Sequence, residues 1–436
     1  MFQILNSFAS KLLPSWLPEK LIGSWDPQGF EKYFKNTGWI FFARLFSYVL
    51  SFFTIALVAR YLGPENLGKI SYAQSFTLLF SVLASLGIDQ ILYRDLVDTP
   101  ENKDELLGTA FISKFVLGFF AVFFTISTAY FLNEEPLLIW LIGLISLTFI
   151  FQPLSVVTLL LNARVQSKYA SYATIVIAII IAVAKMLVIY FDKGVLFFAL
   201  IILLEAILYA LFNLYFYIKI VKEDFFQWKF SLATFVTLIK RSLPLVLATL
   251  SGYIYLRIDQ VMILHFIDST SVGLYEAAVR LTELLNFLPL IIISSLFPAL
   301  INARKNDLKQ FHNRFFSLMK LCLGISFVSA FVLYAISPFA VLLIFGGEYQ
   351  QTIILTKIYA WVSIGTISTV LMQQYLIAEN RTSVFLFITA SGAILNVILN
   401  IFMIPALGLY GAAYATLITL TSIILIFGLL KKVKYI

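Results

Sequence analysis

The 436 residues of this chain are too apolar for a soluble protein: 61% are hydrophobic, 12% are charged and the mean hydropathy is +0.94. A net charge of +8 can indicate nucleic-acid binding, but here we expect it to follow from membrane topology, and no nucleic-acid partner is predicted. One cysteine, Cys322, excludes an intramolecular disulfide, and two histidines are too few for a histidine-based metal centre, so no metal site is predicted.

Residues 1–36 precede the first apolar stretch. They lack the continuous apolar core of a cleavable signal peptide and are interrupted by Pro14, Pro18 and Pro27. Aromatic and leucine side chains mixed with lysines favour a cytoplasmic segment lying on the membrane surface. An unstructured lead-in is the alternative.

Hydropathy predicts twelve membrane-spanning helices, because about 20 apolar residues cross the roughly 30 Å of hydrocarbon in a bilayer. The first six are Thr37–Tyr61, Ile70–Leu92, Thr109–Leu132, Pro136–Leu160, Ser171–Phe191 and Val195–Ile218. The last six are Leu243–Phe266, Val272–Leu300, Phe315–Ile336, Thr352–Ala378, Val384–Ile404 and Leu409–Leu430. The predicted fold class is therefore all-α integral membrane.

Most of the 31 Lys and Arg residues lie on every second connection, whereas the alternate connections hold only Lys69 and Lys193. This asymmetry predicts that both termini are cytoplasmic. The longest connection, 219–242, divides the chain into a predicted N-lobe of residues 37–228 and a C-lobe of residues 229–436. Six spans in each lobe predict a parallel repeat about an axis along the membrane normal.

Charges inside the spans are costly and point to function. Arg44, Lys185 and Glu205 lie deep in the first, fifth and sixth spans. In the seventh and eighth spans, antiparallel packing predicts that Asp259 lies level with Arg280 and that Arg257 lies level with Glu283. Such a cluster can be a clamp between two helices or a cavity wall. Four further cations can reach a membrane interface and need no other role: Arg60, Lys114, Lys320 and Lys357. Asp89 and Arg94 are interpreted as a charge pair on a solvated helix end.

The chain has no GxxxxGK[ST] phosphate loop, so ATP hydrolysis is not predicted. The predicted outside connections are too short for a catalytic loop. We therefore expect a protein that is not an enzyme and that draws energy from an ion gradient, from the gradient of its own substrate or from another subunit.

Two groups of motifs carry a family resemblance. Residues 36–39, 59–65, 72–73 and 87–89 resemble the opening of the bacterial polysaccharide transporter family. This is the O-antigen and capsule flippase branch of the multidrug, oligosaccharidyl-lipid and polysaccharide exporter superfamily. Residues 396–416, with Pro405, Gly408 and Gly411, are similar to the eleventh and twelfth spans of that superfamily.

The resemblance implies a V-shaped bundle of two lobes with a central cavity that opens alternately to each side. Its substrate would be an undecaprenyl-diphosphate-linked oligosaccharide, moved across the bacterial inner membrane. Other polysaccharide-assembly membrane proteins would be partners. Candidates for binding the anionic headgroup are Arg44, Lys185, Arg257 and Arg280. Candidates for sugar contacts are Tyr253, Tyr255, Gln373, Gln374, Asn396 and Asn400. Glu205, Asp259 and Glu283 are candidates for coupling to H⁺ or Na⁺, and no other cofactor is expected.

Three alternatives remain open at this point. A multidrug cation antiporter of the same superfamily would need an acidic lumen. A peptidoglycan lipid flippase is chemically similar but generally has two further spans. A membrane glycosyl polymerase or ligase would need catalytic residues on an outside loop.

Overall fold

The computed structural model describes residues 27–306, 308–379 and 381–432, and its secondary structure is helical. The first lobe contains α1 (Pro27–Ser85), α2 (Ile88–Asp98), α3 (Lys103–Phe131), α4 (Pro136–Ser146), α5 (Thr148–Phe151), α6 (Ser155–Ala163), α7 (Ser167–Tyr190) and α8 (Val195–Phe216). The second contains α9 (Leu232–Phe266), α10 (Ser269–Asn306), α11 (Leu308–Ile344), α12 (Thr352–Ala378), α13 (Thr382–Leu407) and α14 (Leu409–Lys432).

Helix α1 contains two spans, because 59 residues at about 1.5 Å each would far exceed the thickness of a bilayer. The helix is broken at Gly63, whose φ of 68° and ψ of 172° are not helical and favour glycine, and Pro64 follows. The first arm is residues 27–62 and the second is residues 64–85. We call the end of the bundle that holds this break the Gly63 end.

Proline also interrupts two other spans. The fourth predicted span is divided into α4, α5 and α6, with Pro153 in the 3₁₀ turn Gln152–Leu154. Helix α9 bends between Leu232–Pro244 and Val246–Phe266. Among the described residues, ten helical segments are long and apolar enough to cross a membrane, and the bent α9 is an eleventh. Counting the two arms of α1 separately gives twelve spans, which confirms the predicted fold class.

The two lobes pack against each other at the Gly63 end. Gly68 of α1 and Gly273 of α10 lie at a close helix crossing, since a Cβ on Gly68 would lie 1.7 Å from the Ser269 carbonyl oxygen. The Tyr349 hydroxyl donates to the carbonyl of Ala59 at 2.8 Å. In two further contacts, the Arg60 guanidinium donates to the carbonyls of Leu343 and Ile344, and His265 Nε2 lies 3.2 Å from Glu134 Oε1. We call this whole set of contacts between the lobes the clasp.

The connection between the lobes is docked on the first lobe. The Lys229 amide donates to the Asp104 carbonyl at 3.1 Å, and the Trp228 indole donates to the Tyr217 hydroxyl at 2.7 Å. Glu223 pairs with Lys103 at 2.6 Å and with Arg164 at 3.0 Å. The predicted lobe boundaries at 228 and 229 stay a prediction. Residues 1–26 of the predicted N-terminal segment lie outside the described residues, and residues 27–36 form the start of α1.

Candidate functional site

A cavity of about 650 Å³ lies between the two lobes. Its walls are the first arm of α1 with α7 and α8 from the first lobe, and α10 and α12 from the second. Gln374 lines the cavity four residues before the end of α12, and α12 begins at the Gly63 end. The cavity therefore lies in the half of the bundle away from the clasp.

One face of α1 supplies a polar stripe to the cavity wall. The stripe consists of Arg44 and of Ser47, Tyr48, Ser51 and Thr54, which follow it by three, four, seven and ten residues. Because this spacing keeps side chains on one helix face, the stripe could have been found from sequence as a helical pattern within an apolar span. Of these residues, the sequence-based candidates included only Arg44.

Lys185 on α7 and Glu205 on α8 also line the cavity. Within the described residues, no carboxylate lies within 4.0 Å of the charged nitrogens of Arg44 or Lys185. Among the described residues, the wall thus presents two cations without an ion pair and one carboxylate. This arrangement suits an anionic ligand better than a cationic one.

Polar and aromatic groups complete the wall. Tyr48 stacks on Phe287 of the other lobe, with ring centroids 4.6 Å apart. Gln374 Oε1 and Ser47 Oγ are buried and have no hydrogen-bond partner in the described structure. Of the six predicted sugar contacts, Gln374 lies on the cavity wall.

Arg257 and Arg280 lie outside the residues that line the cavity and belong to a charge-balanced network. Arg257 binds Glu283 at 2.8 Å and Glu276 at 3.2 Å. Arg280 binds Glu276 at 2.6 Å and Glu283 at 3.0 Å. Two arginines against two glutamates leave no net charge, which favours the clamp over the cavity wall. Glu283, a candidate for ion coupling, is held in this network.

Arg257, predicted to lie level with Glu283, binds it, whereas Asp259, predicted to lie level with Arg280, has other partners. Residues two apart on a helix point in nearly opposite directions, at about 200°. The Asp259 carboxylate therefore meets Asn400 of α13, Thr416 of α14 and, on α10, Tyr275. Arg257 meets the glutamates of α10.

Asp259 is fully buried at the centre of a second polar cluster. It accepts hydrogen bonds from Asn400 Nδ2 at 2.7 Å, from Thr416 Oγ1 and from the Tyr275 hydroxyl, which also contacts the Tyr359 hydroxyl. Asn400 Nδ2 also donates to Asn396 Oδ1 at 3.0 Å. No Lys or Arg pairs with Asp259 in the described part of the chain, and the Asn396 amide nitrogen and the Asn400 amide oxygen lack partners there.

The remaining predicted sugar contacts do not line the cavity. Asn396 and Asn400 are buried inside the second lobe, where Asn400 bonds Asp259 and Asn396. Tyr255 is buried between helices, and Tyr253 and Gln373 are half-buried elsewhere.

Two interpretations of charges near the membrane surface were wrong. Lys114 does not extend to an interface: its side chain is fully buried and bonds Asp89 at 2.7 Å and Ser155 at 2.8 Å. Asp89 pairs with this lysine instead of with Arg94, which lies 3.4 Å from Asp95. The sequence could not show this pairing, because Asp89 and Lys114 lie on different helices.

A protein-family model described as "Polysaccharide biosynthesis protein" matches residues 33–304. The chain belongs to this family. The match covers more than half of the chain and confirms the resemblance found in its motifs. A curated relative, the probable low-salt glycan biosynthesis flippase Agl15 of Haloferax volcanii, is 26% identical over 172 residues, which are 39% of this chain and 36% of the relative. The match thus spans just over a third of that relative's length.

Solved structures share the fold at low identity. An inward-facing MATE family multidrug resistance transporter of the MOP superfamily superposes with a TM-score of 0.72 at 15% identity, covering 89% of this chain and 96% of the other. The lipid II flippase MurJ in an inward closed conformation superposes with a TM-score of 0.69 at 19% identity, covering 91% of this chain and 87% of the other. At these identities the likenesses show a shared fold alone.

Proposed function

We propose that this family member is a flippase that moves undecaprenyl-diphosphate-linked oligosaccharides across the inner membrane for surface polysaccharide biosynthesis. The observation that carries the proposal is the cavity between the lobes, which Arg44 and Lys185 line without an ion-pair partner among the described residues. Fixed cations would bind the diphosphate, while Tyr48 and Gln374 would stack on and hydrogen-bond the sugars. The description of Agl15 as a probable flippase in glycan biosynthesis supports the same substrate class.

The direction of transport would follow from topology. The cation-rich connections would lie in the cytoplasm, which places the Gly63 end outside. The clasp closes that end, so the described state would receive its substrate from the cytoplasmic leaflet. Opening of the clasp would release the substrate into the outer leaflet, where polysaccharide-assembly membrane proteins would act on it.

The proposed energy source is an H⁺ or Na⁺ gradient acting at Asp259. A buried carboxylate without a cationic partner costs free energy, which a proton or a hard monovalent cation would relieve. The hydroxyl oxygens of Thr416 and Tyr275 and the amide nitrogen of Asn400 contact the carboxylate, and the Asn396 amide oxygen accepts from that nitrogen. Five helices of the second lobe contribute side chains to this cluster, so ion binding would bias how that lobe packs.

Reconstitution in liposomes tests the function. A defined diphosphate-linked oligosaccharide lipid should exchange between leaflets, and Arg44→Ala or Lys185→Ala should each slow exchange roughly tenfold or more, since a charge-assisted bond contributes about 1.5–3 kcal/mol. Lys320→Ala is the matched control, because Lys320 is exposed and does not line the cavity. No exchange of any such lipid by the wild-type protein would refute the proposal. Faster exchange of an organic cation would favour the antiporter alternative.

A further inference from the structure

A separate apolar groove lies between α1 and α7, nearer the Gly63 end than the cavity. Its volume is about 380 Å³. Its walls are almost wholly hydrocarbon, and several of its side chains, including Phe53 and Val183, are more than half exposed. The groove is lined by Leu50, Phe53, Thr54, Leu57, Ala182, Val183, Met186, Leu187 and Tyr190.

The groove is continuous with the cationic cavity, since Leu50, Thr54 and Ala182 line both. On α1, Phe53 and Leu57 lie about 180° and about 140° around the helix axis from Arg44. The cavity therefore opens sideways into the groove, and the groove leads from the unpaired cations toward the lipid-facing surface.

This continuity defines the chemistry of an occupant. A soluble anion or a free oligosaccharide would use the cationic cavity and leave the groove empty, because neither carries a hydrocarbon chain. A molecule with an anionic head and an apolar tail would fill both, with its head at Arg44 and Lys185. The groove runs from Leu50 to Leu57, about 10 Å, so it would hold only the part of the chain next to the head.

We propose that the groove between α1 and α7 binds the first isoprenoid units of the lipid-linked substrate, next to its diphosphate. The inference rests on the proposed flippase function and adds a second recognition element to it. Transport would depend on the shape of the head-proximal chain, and the rest of the tail would stay in the bilayer.

Filling the groove with a bulky side chain tests this. Leu57→Trp and Val183→Trp each place an indole in the groove at residues that do not line the cavity. In liposomes, each should slow exchange of a polyprenyl-diphosphate oligosaccharide about tenfold. Val176→Trp is the matched control: Val176 is 40% exposed on the same helix and lines neither space, so exchange should stay at the wild-type rate.

A second measurement distinguishes failure of the groove proposal from failure of the proposed flippase function. A chain-free oligosaccharide diphosphate should bind wild type, Leu57→Trp and Val183→Trp equally, and Arg44→Ala more weakly. If wild type exchanges the lipid and both tryptophan variants match Val176→Trp, the groove proposal is wrong while the flippase function stands. If wild type exchanges no lipid-linked oligosaccharide, the function itself fails.

Cross-linking tests the same proposal without a tryptophan substitution, so it remains valid if a tryptophan variant misfolds. A benzophenone amino acid replacing Leu187, in an otherwise unchanged protein, should cross-link the radiolabelled polyprenyl substrate, and excess chain-free headgroup should suppress the product. Cross-linking of bulk phospholipid alone would overturn the proposal.

Discussion

At the scale of single residues, the intramembrane charges divide into three kinds by their partners. Arg44 and Lys185 face the cavity without ion pairs among the described residues, and Arg257 and Arg280 are neutralised by glutamates. Asp259 is surrounded by hydroxyl and amide groups. These environments imply different consequences for each substitution, although all five residues are charged groups within apolar spans.

Asp259→Asn should uncouple transport from the ion gradient. The substitution keeps the shape of the side chain but removes its charge, so no cation or titrating proton would bind. We expect gradient-driven exchange to fall to the rate measured without a gradient, while binding of a chain-free headgroup analogue is unchanged. Gradient dependence equal to wild type would place the coupling ion elsewhere.

Glu276→Gln should destabilise the protein. The Glu276 side chain is 2% exposed and pairs with both arginines, so its loss leaves buried positive charge uncompensated. The cost of breaking a buried pair is about 3–5 kcal/mol, and thermal unfolding in detergent should show a clearly lower Tm. The double variant Glu276→Gln with Arg280→Gln should recover much of the loss if the network is a clamp. If it does not, the residues have a role beyond charge balance.

At the scale of helices, the crossing of α1 and α10 brings the lobes together because both helices carry glycine there. A Cβ on Gly273 would lie 1.9 Å from the Pro64 carbonyl oxygen. This neighbour is backbone, so no side-chain rotation can relieve the clash. The close crossing therefore depends on Gly68 and Gly273.

Gly273→Leu should open the clasp and stop transport. Spin labels at Glu65 and Thr270, on opposite lobes at the Gly63 end, should report a shift to longer distances than in the otherwise unchanged protein. Gly324→Leu is the control, because a Cβ on Gly324 would meet nothing within 4 Å. An unchanged distance distribution in Gly273→Leu would show that the crossing does not hold the lobes together.

The connection between the lobes should be sensitive to acid. Burial raises the pKa of Glu223, but the bonds from Lys103 and Arg164 outweigh this effect and hold the pKa below its usual range. A carboxyl whose pKa is lower in the folded than in the unfolded protein stabilises the fold at pH values above its unfolded-state pKa, which is about 4.3 for Glu. This stabilisation is lost as the pH falls through the folded-state pKa. Glu223→Gln should lower the Tm modestly at pH 7, and the difference from wild type should shrink below about pH 4. A difference independent of pH would indicate that the charge of Glu223 is not responsible.

At the scale of the whole molecule, the uneven distribution of cations predicts a single orientation in the membrane. The one cysteine, Cys322, is buried, so the native thiol should react little with polar reagents. This makes single introduced cysteines informative about which connections face the outside.

In intact cells, Lys193→Cys should react with a membrane-impermeant maleimide, because it lies on a predicted outside connection. Lys222→Cys, on the connection between the lobes, should react only after the membrane is permeabilised. The reverse pattern would invert the topology, and with it the proposed direction of transport.

The sequence by itself determined the class of protein, the twelve spans and the polysaccharide family, because hydropathy, charge distribution and short motifs are local properties of the chain. It also identified Arg44 and Lys185 as charges whose burial in an apolar span costs free energy. The sequence did not separate them from Arg257 and Arg280, since all four have similar local surroundings.

Only the tertiary structure decided which charges face the cavity and which are neutralised. Helix rotation and the choice of neighbouring helices depend on packing among segments far apart in the chain. Asp259 therefore meets Asn400 and Thr416 rather than Arg280, and Lys114 meets Asp89 rather than water. The groove lies where α1 and α7 pack side by side, and the cavity it adjoins lies between these helices and α8, α10 and α12.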